Sequence, residues 1–253
     1  MLGFKEHPYP TVGVEEEYGL VDPDSADLVP ALDAVMGALD ARDAPNYCPE
    51  LKQCFIEGHA GPARRVGELL DRLMAVRTHL ARAARQVGVA VSASGGHPFD
   101  DLARLPVVDD DHYAWVVARH ALAARRLMAL GLHVHVGVRT EAVLLGATAA
   151  LRRWVAPLVA MSANSPFSMG VDTGFDSYRQ VAIGALPRTG FPPAFETLEE
   201  VRDYIDRMTA TGDIARPGDL WWSVRPNVPL GTVEVRACDL PTAPWRVAAL
   251  DDV

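Results

Sequence analysis

Thr11-Val12-Gly13-Val14-Glu15-Glu16-Glu17-Tyr18-Gly19-Leu20-Val21 sets three consecutive glutamates inside an apolar, β-prone run. Its valine, threonine and tyrosine content predicts a strand. Alternate side chains of a strand share a face, so Glu15 and Glu17 point one way and Glu16 the other. Same-face carboxylates repel each other, and burying them without a partner is very costly. Either a cation compensates the pair, or the stretch is an exposed edge strand that uses charge to resist aggregation.

Further along, the pattern recurs. Glu50 to Gly58 predicts a second strand, with Glu57 on the face of Gln53 and Phe55 and Glu50 at its start. In Gly131–Val138, His133 and His135 share a face; in Thr232–Cys238, Glu234 and Arg236 do. Each has a structural explanation: Glu50 as a surface residue, His135 as a hydrogen-bonded core histidine, Glu234 and Arg236 as partners of neighbouring strands. Recurrence on apolar strands instead favours convergence of Glu15, Glu17, Glu57, His133 and Glu234 on one sheet face. That set is rich in carboxylates, with one imidazole and no thiol, and suits Mg²⁺ or Mn²⁺ better than Zn²⁺. So many carboxylates imply about two to three ions holding a polyphosphate. Walker A, GxGxxG, GxSxG, HExxH and Cys-His signatures are absent, so phosphate contacts fall to metals and to arginines such as Arg225 and Arg236.

Hydrophobic periodicity predicts helices over Ala31–Ala41, Arg64–Val87 (closed by Gly88), His112–Leu130, Thr140–Met161 and Leu198–Thr211. Gly170 to Tyr178 reads as loop. Long helices between strands predict a mixed α and β class, its sheet assembled from distant parts of the chain. The 253 residues, 49% of them hydrophobic, allow one large domain or two small ones. A net charge of −9 argues against a general nucleic-acid or anionic-membrane binder. Cys48, Cys54 and Cys238 lack CxxC spacing and read as reduced thiols. Met1–Pro8 lacks signal-peptide character, and the apolar run from Ala142 to Met161 is interrupted by Arg152, Arg153 and Pro157. The expectation is a soluble, cytoplasmic protein with no membrane and no nucleic-acid partner.

Gly13-Val14-Glu15-Glu16-Glu17, Pro49-Glu50-Leu51 through Glu57, Ser94-Gly95-Gly96-His97-Pro98-Phe99, Gly131-Leu132-His133-Val134-His135-Val136-Gly137, Ser162-Ala163-Asn164-Ser165-Pro166-Phe167 and Gly231-Thr232-Val233-Glu234-Val235-Arg236 follow one another in that order. Together they resemble the type 2 glutamate–cysteine ligase family, the YbdK-like carboxylate–amine ligases of the glutamine synthetase superfamily. The resemblance implies an α+β fold, a curved, mainly antiparallel sheet flanked by helices, in one catalytic domain over residues 1–253. It also implies ATP and Mg²⁺ (Mn²⁺ in its place) as cofactors. By motif match, Glu15, Glu17, Glu50, Glu57, His133 and Glu234 correspond to metal residues, with a bend needed between Glu50 and Glu57. Arg236 and Arg225 correspond to catalytic and phosphate-binding arginines, and Arg179 and Glu50 to substrate contacts.

The chemistry implied is phosphorylation of a small-molecule carboxylate, the γ-carboxylate of glutamate in the name-giving case, followed by attack of an amine on the acyl phosphate. Two features depart from the family pattern. Gly58–Pro62 replaces a more polar segment, and a further helical segment is expected beyond the last strand, where this chain stops at Val253. An amide hydrolase of the same superfamily and a non-catalytic binding or scaffold relative stand as alternatives, and homo-oligomerisation is left open.

Overall fold

The computed structural model describes residues 3–251; the readings that touch Met1, Leu2, Asp252 and Val253 lie outside the described residues. In chain order the elements are β1 (Thr11–Val21), α1 (Leu32–Ala38), β2 (Tyr47–Pro49), β3 (Phe55–Ala63), α2 (Val66–Gln86), β4 (Ala90–Ser92), α3 (Asp111–Arg125), β5 (Gly131–Gly137), α4 (Glu141–Leu151), α5 (Val155–Ser162), β6 (Phe167–Ser168), β7 (Val171–Asp172), α6 (Arg179–Gly184), α7 (Leu198–Ala210), β8 (Val224–Asn227), β9 (Thr232–Asp239) and α8 (Pro244–Asp251). Seven strands form one sheet in the order β2-β3-β1-β5-β9-β8, with β4 also on β1. Every pairing in it is antiparallel. β1 is long enough to hold β5 along Thr11–Glu16 and β4 along Gly19–Val21, which puts its glutamates at the centre of the sheet.

Alternation decides the layers. Val14, Tyr18 and Leu20 of β1 pack with Leu69, Leu73, Val76 and Leu80 of α2 in one core. Val233 and Ala237 of β9 join Val224, Leu144, Val155 and Val201 in a second, under α4, α5 and α7. Glu16 shares the helix-covered face and is fully buried there. Arg77 of α2 meets it with two hydrogen bonds, Nε to Oε2 at 2.8 Å and Nη2 to Oε1 at 2.6 Å, and Tyr18 donates a third from its hydroxyl. The glutamate facing the helices thus has a cation of its own, a buried charge-assisted pair.

Several boundaries differ from the sequence expectations. Glu50–Gly58 is not one strand: β2 and β3 fold back on each other, Cys48 pairing with Glu57, and Glu50 lies in the turn just after β2. The helix expected over Thr140–Met161 breaks at Arg152–Trp154 into α4 and α5, which meet at 65°. Pro157 explains the break, since in a continuous helix its ring would clash with the carbonyl of Arg153. α3 ends at Arg125 rather than near Leu130, because Leu130 and Met128 turn away to pack with Val21, Phe55 and Leu102. The stretch Gly170–Tyr178 read as loop contains β7, which pairs with β6 just before it, and α6 begins at Arg179 just after it. α1 is also shorter than Ala31–Ala41. α2 closes as expected, with Gly88 at φ +78° beyond its last turn. No single helix among the described residues is long and apolar enough to cross a membrane.

Candidate active site

The register of the sheet, rather than any local motif, gathers the site. Across β1 and β3, Glu17 faces Glu57 and Glu15 faces His59. Across β1 and β5, Glu15 faces His133. His135 faces Glu234 across β5 and β9, and Arg225 faces Glu234 across β8 and β9. Directly opposed residues project to one side of a sheet, so these side chains form a single row on the face the helical core leaves free. A bulge in β9 sets two residues, Arg236 and Ala237, against His133. Such an insertion re-aims the side chains around it; here Arg236 Nη1 comes within 3.4 Å of His133 Nδ1 and also contacts Glu234.

Distances within the row are short. His133 Nδ1 lies 3.1 Å from Glu15 Oε2, and its Nε2 lies 3.5 Å from Glu17 Oε1. His135 Nε2 is 3.2 Å from Glu15 Oε1 and 3.8 Å from Glu234 Oε1. Burial works to raise the Glu15 carboxyl, but the adjacent imidazoles of His133 and His135 outweigh it and hold the group well below the usual carboxylate range. Glu234 is depressed likewise: burial opposes its charge, and Arg225 and Arg236 overcome that. Arg225 grips Glu234 at 2.9 and 3.0 Å, with Asn227 Nδ2 donating at 3.0 Å. Glu50 behaves oppositely. Burial first, then the charges of Glu17 and Glu57, push its carboxyl well above the usual range.

The donor set fits divalent cations. Ligand atoms of Glu15, Glu57 and His133 lie within 4.8 Å of one another, as do those of Glu15, His135 and Glu234, and those of Glu17, Glu50 and Glu57. His133 Nε2 and His135 Nε2 are buried without a hydrogen-bond partner, and buried polar atoms in native proteins are rarely left so. Glu17, Glu50 and Glu57 crowd together with no arginine hydrogen-bonded to them, whereas both oxygens of Glu234 are already engaged by guanidinium. The demand for positive charge is therefore greatest around Glu17, Glu50 and Glu57.

The row lies between a cavity of about 270 Å³ bordered by Glu17, Glu50, Arg179 and Arg236 and one of about 200 Å³ bordered by Glu15, His59 and His135. Arg179 opens α6 and is buried, with Nε and Nη1 unpartnered. It lies over Gly131, where a Cβ would run into its guanidinium. Of the residues singled out in the sequence, all but Glu234 line one of these two cavities, and Glu234 lies in the row between them. His59 and Asp219 line them as well, Cys48 and Asn227 touch Glu57 and Glu234 of the row, and all four were missed. His59 follows Glu57 by two positions, a same-face spacing that could have revealed it, whereas Cys48 reaches the row only through the turn between β2 and β3.

A family model described as glutamate–cysteine ligase family 2 matches residues 11–251. A protein of Rubrobacter xylanophilus, provisionally named glutamate–cysteine ligase 2-3, is 38% identical over 244 residues, 96% of this chain and 67% of its own length. The chain spans about two thirds of the length of the curated relatives it matches. Among solved structures, a bifunctional glutathione synthetase from Pasteurella multocida superposes with a TM-score of 0.70 at 13% identity, over 91% of this chain and 35% of that one. A glutamate–cysteine ligase from Francisella tularensis in complex with AMP gives 0.64 at 11% identity, over 93% and 62%. These two likenesses establish the fold, an antiparallel sheet with flanking helices.

Proposed function

The chain belongs to the glutamate–cysteine ligase family 2, and from that premise we propose that it is the catalytic domain of an ATP-dependent ligase that joins a small-molecule carboxylate to an amine through an acyl phosphate. The observation that carries this reading is the single row formed by Glu15, Glu17, Glu57, His133 and Glu234, flanked by Arg179, Arg225 and Arg236. Carboxylates crowded at this density call for Mg²⁺, with Mn²⁺ as a substitute, and Glu15, Glu17, Glu50, Glu57, His133 and Glu234 are the residues that would hold it. When bound, Mg²⁺ neutralises the polyphosphate and aligns it for in-line transfer.

The chain's own groups do the rest. Arg225 locks Glu234 in place by its paired hydrogen bonds, and Glu234 in turn anchors Arg236 beside His133. Arg236 keeps its charge, since the attraction of Glu234 and Glu17 outweighs its burial; it is suited to stabilise the anionic phosphoryl group in flight and the acyl phosphate that follows. Arg179 presents two unsatisfied donors into the same cavity and is the natural partner of the carboxylate to be activated. No side-chain nucleophile is needed. The reaction is tested by ADP release: wild-type protein releases ADP and phosphate only with Mg²⁺, a carboxylate and an amine present. In Glu15→Gln that release falls to background. Turnover that survives Glu15→Gln overturns the assignment of the row.

A further inference from the structure

One group of donors at the margin of the row has a different chemistry from the rest. Cys48 on β2 faces Glu57 on β3, and His59 lies two residues beyond Glu57 on the same face. Cys48 Sγ is 3.2 Å from Glu57 Oε1 and 3.7 Å from His59 Nε2, and His59 Nε2 is 2.6 Å from Glu57 Oε1. Around a tetrahedral zinc ion, a thiolate at about 2.3 Å and nitrogen or oxygen ligands at about 2.0–2.1 Å lie roughly 3.3–3.6 Å apart. The two distances to sulfur lie on either side of the roughly 3.5–3.6 Å expected for a sulfur pair, so small shifts bring them to it, and the His59–Glu57 pair must part by about 0.7 Å on the same geometry. The three donors come from two hydrogen-bonded strands, so the backbone already holds them in register. His59 is 42% exposed and borders the smaller cavity, which gives an ion a way in and leaves a fourth position for water.

We propose that Cys48, Glu57 and His59 bind a thiophilic divalent cation of the Zn²⁺ class, and that by taking Glu57 this cation competes with Mg²⁺. The competition rests on the reading of Glu57 as a magnesium residue; the site itself does not. Soft and borderline ions are selected here because thiolate and imidazole replace the all-oxygen surroundings that Mg²⁺ prefers. On binding, the Cys48 thiol gives its proton to solvent as the metal–sulfur bond forms. Zinc therefore inhibits the ligase by withdrawing a carboxylate from its magnesium cluster.

Co²⁺ reports on such a site without any assay of activity, because a cobalt–thiolate bond gives an intense near-ultraviolet charge-transfer band. Titrating the reduced, metal-free full chain with Co²⁺ is expected to produce that band with a stoichiometry of one, and Zn²⁺ is expected to abolish it. Cys48→Ser removes the band. His59→Asn keeps the thiolate and so keeps a band, but weakens binding by about tenfold or more, the loss that follows even removal of a group that only orients a ligand. Absence of the band in wild-type protein, or its persistence in Cys48→Ser, overturns the site. Excess Mg²⁺ is expected to raise the apparent Kd for Co²⁺. A band indifferent to Mg²⁺ upholds the thiophilic site and overturns the sharing of Glu57.

Discussion

Glu15, Glu16 and Glu17 stand side by side in the chain and are compensated in three ways. Glu15 takes two imidazoles, Glu17 accepts the Gly131 amide at 2.5 Å, and Glu16 takes Arg77 on the opposite face. Arg77→Ala leaves Glu16 buried without a cation, and removing one partner of such a pair costs about 3–5 kcal/mol; urea unfolding of metal-free protein is expected to show a loss of this size. Glu50 has the opposite sign. Its folded carboxyl sits above the unfolded value of about 4.3, so the folded state binds the extra proton and loses stability as pH rises through that unfolded value. In EDTA at pH 8, Glu50→Gln is therefore expected to be more stable than wild type, and Mg²⁺ to stabilise wild type more than the variant. A less stable variant in EDTA would contradict this account of Glu50. Alternation alone made the outward face of Glu15 and Glu17 legible. It said nothing about Arg77, 61 residues further on in sequence.

At the scale of elements, strand and helix identities were largely readable from period, and the failures have local physical causes. Glu50–Gly58 has enough β-prone residues to read as one strand, yet the chain reverses between Pro49 and Phe55. That reversal supplies the bend the odd spacing of Glu50 and Glu57 requires, and it also carries Cys48 to the site. α6 escaped notice because its six residues are too few to show a period, although it seats Arg179. Gly131 of β5 makes room for that arginine. Gly131→Ala is expected to cost about 1–3 kcal/mol of stability through overpacking and to raise the KM for the carboxylate more than it lowers kcat, measured by ADP release. Gly88 makes a simpler test. At φ +78° with open space around a would-be Cβ, Gly88→Ala is expected to cost about 1 kcal/mol through backbone strain alone, read as a lower midpoint in urea with no change in turnover.

For the whole molecule, the decisive fact is which strands are neighbours. β1 pairs with β5, setting Gly13 opposite His135 and Glu15 opposite His133, although the two strands are far apart in the sequence; no local pattern encodes that order. The family resemblance supplied an antiparallel sheet flanked by helices, which the fold bears out, but not the order of its strands. With the helical cores on one side, the other side is left to carboxylates, imidazoles and arginines that no apolar packing would retain. On the function proposed above, this row is expected to hold several divalent ions about a polyphosphate. Counting bound Mn²⁺ by electron paramagnetic resonance, with a non-hydrolysable ATP analogue present, tests it most directly. Wild-type protein is expected to hold about two to three Mn²⁺ per chain, and Glu15→Gln to hold at least one fewer. A wild-type count of one or none, or an equal count in the variant, would contradict it.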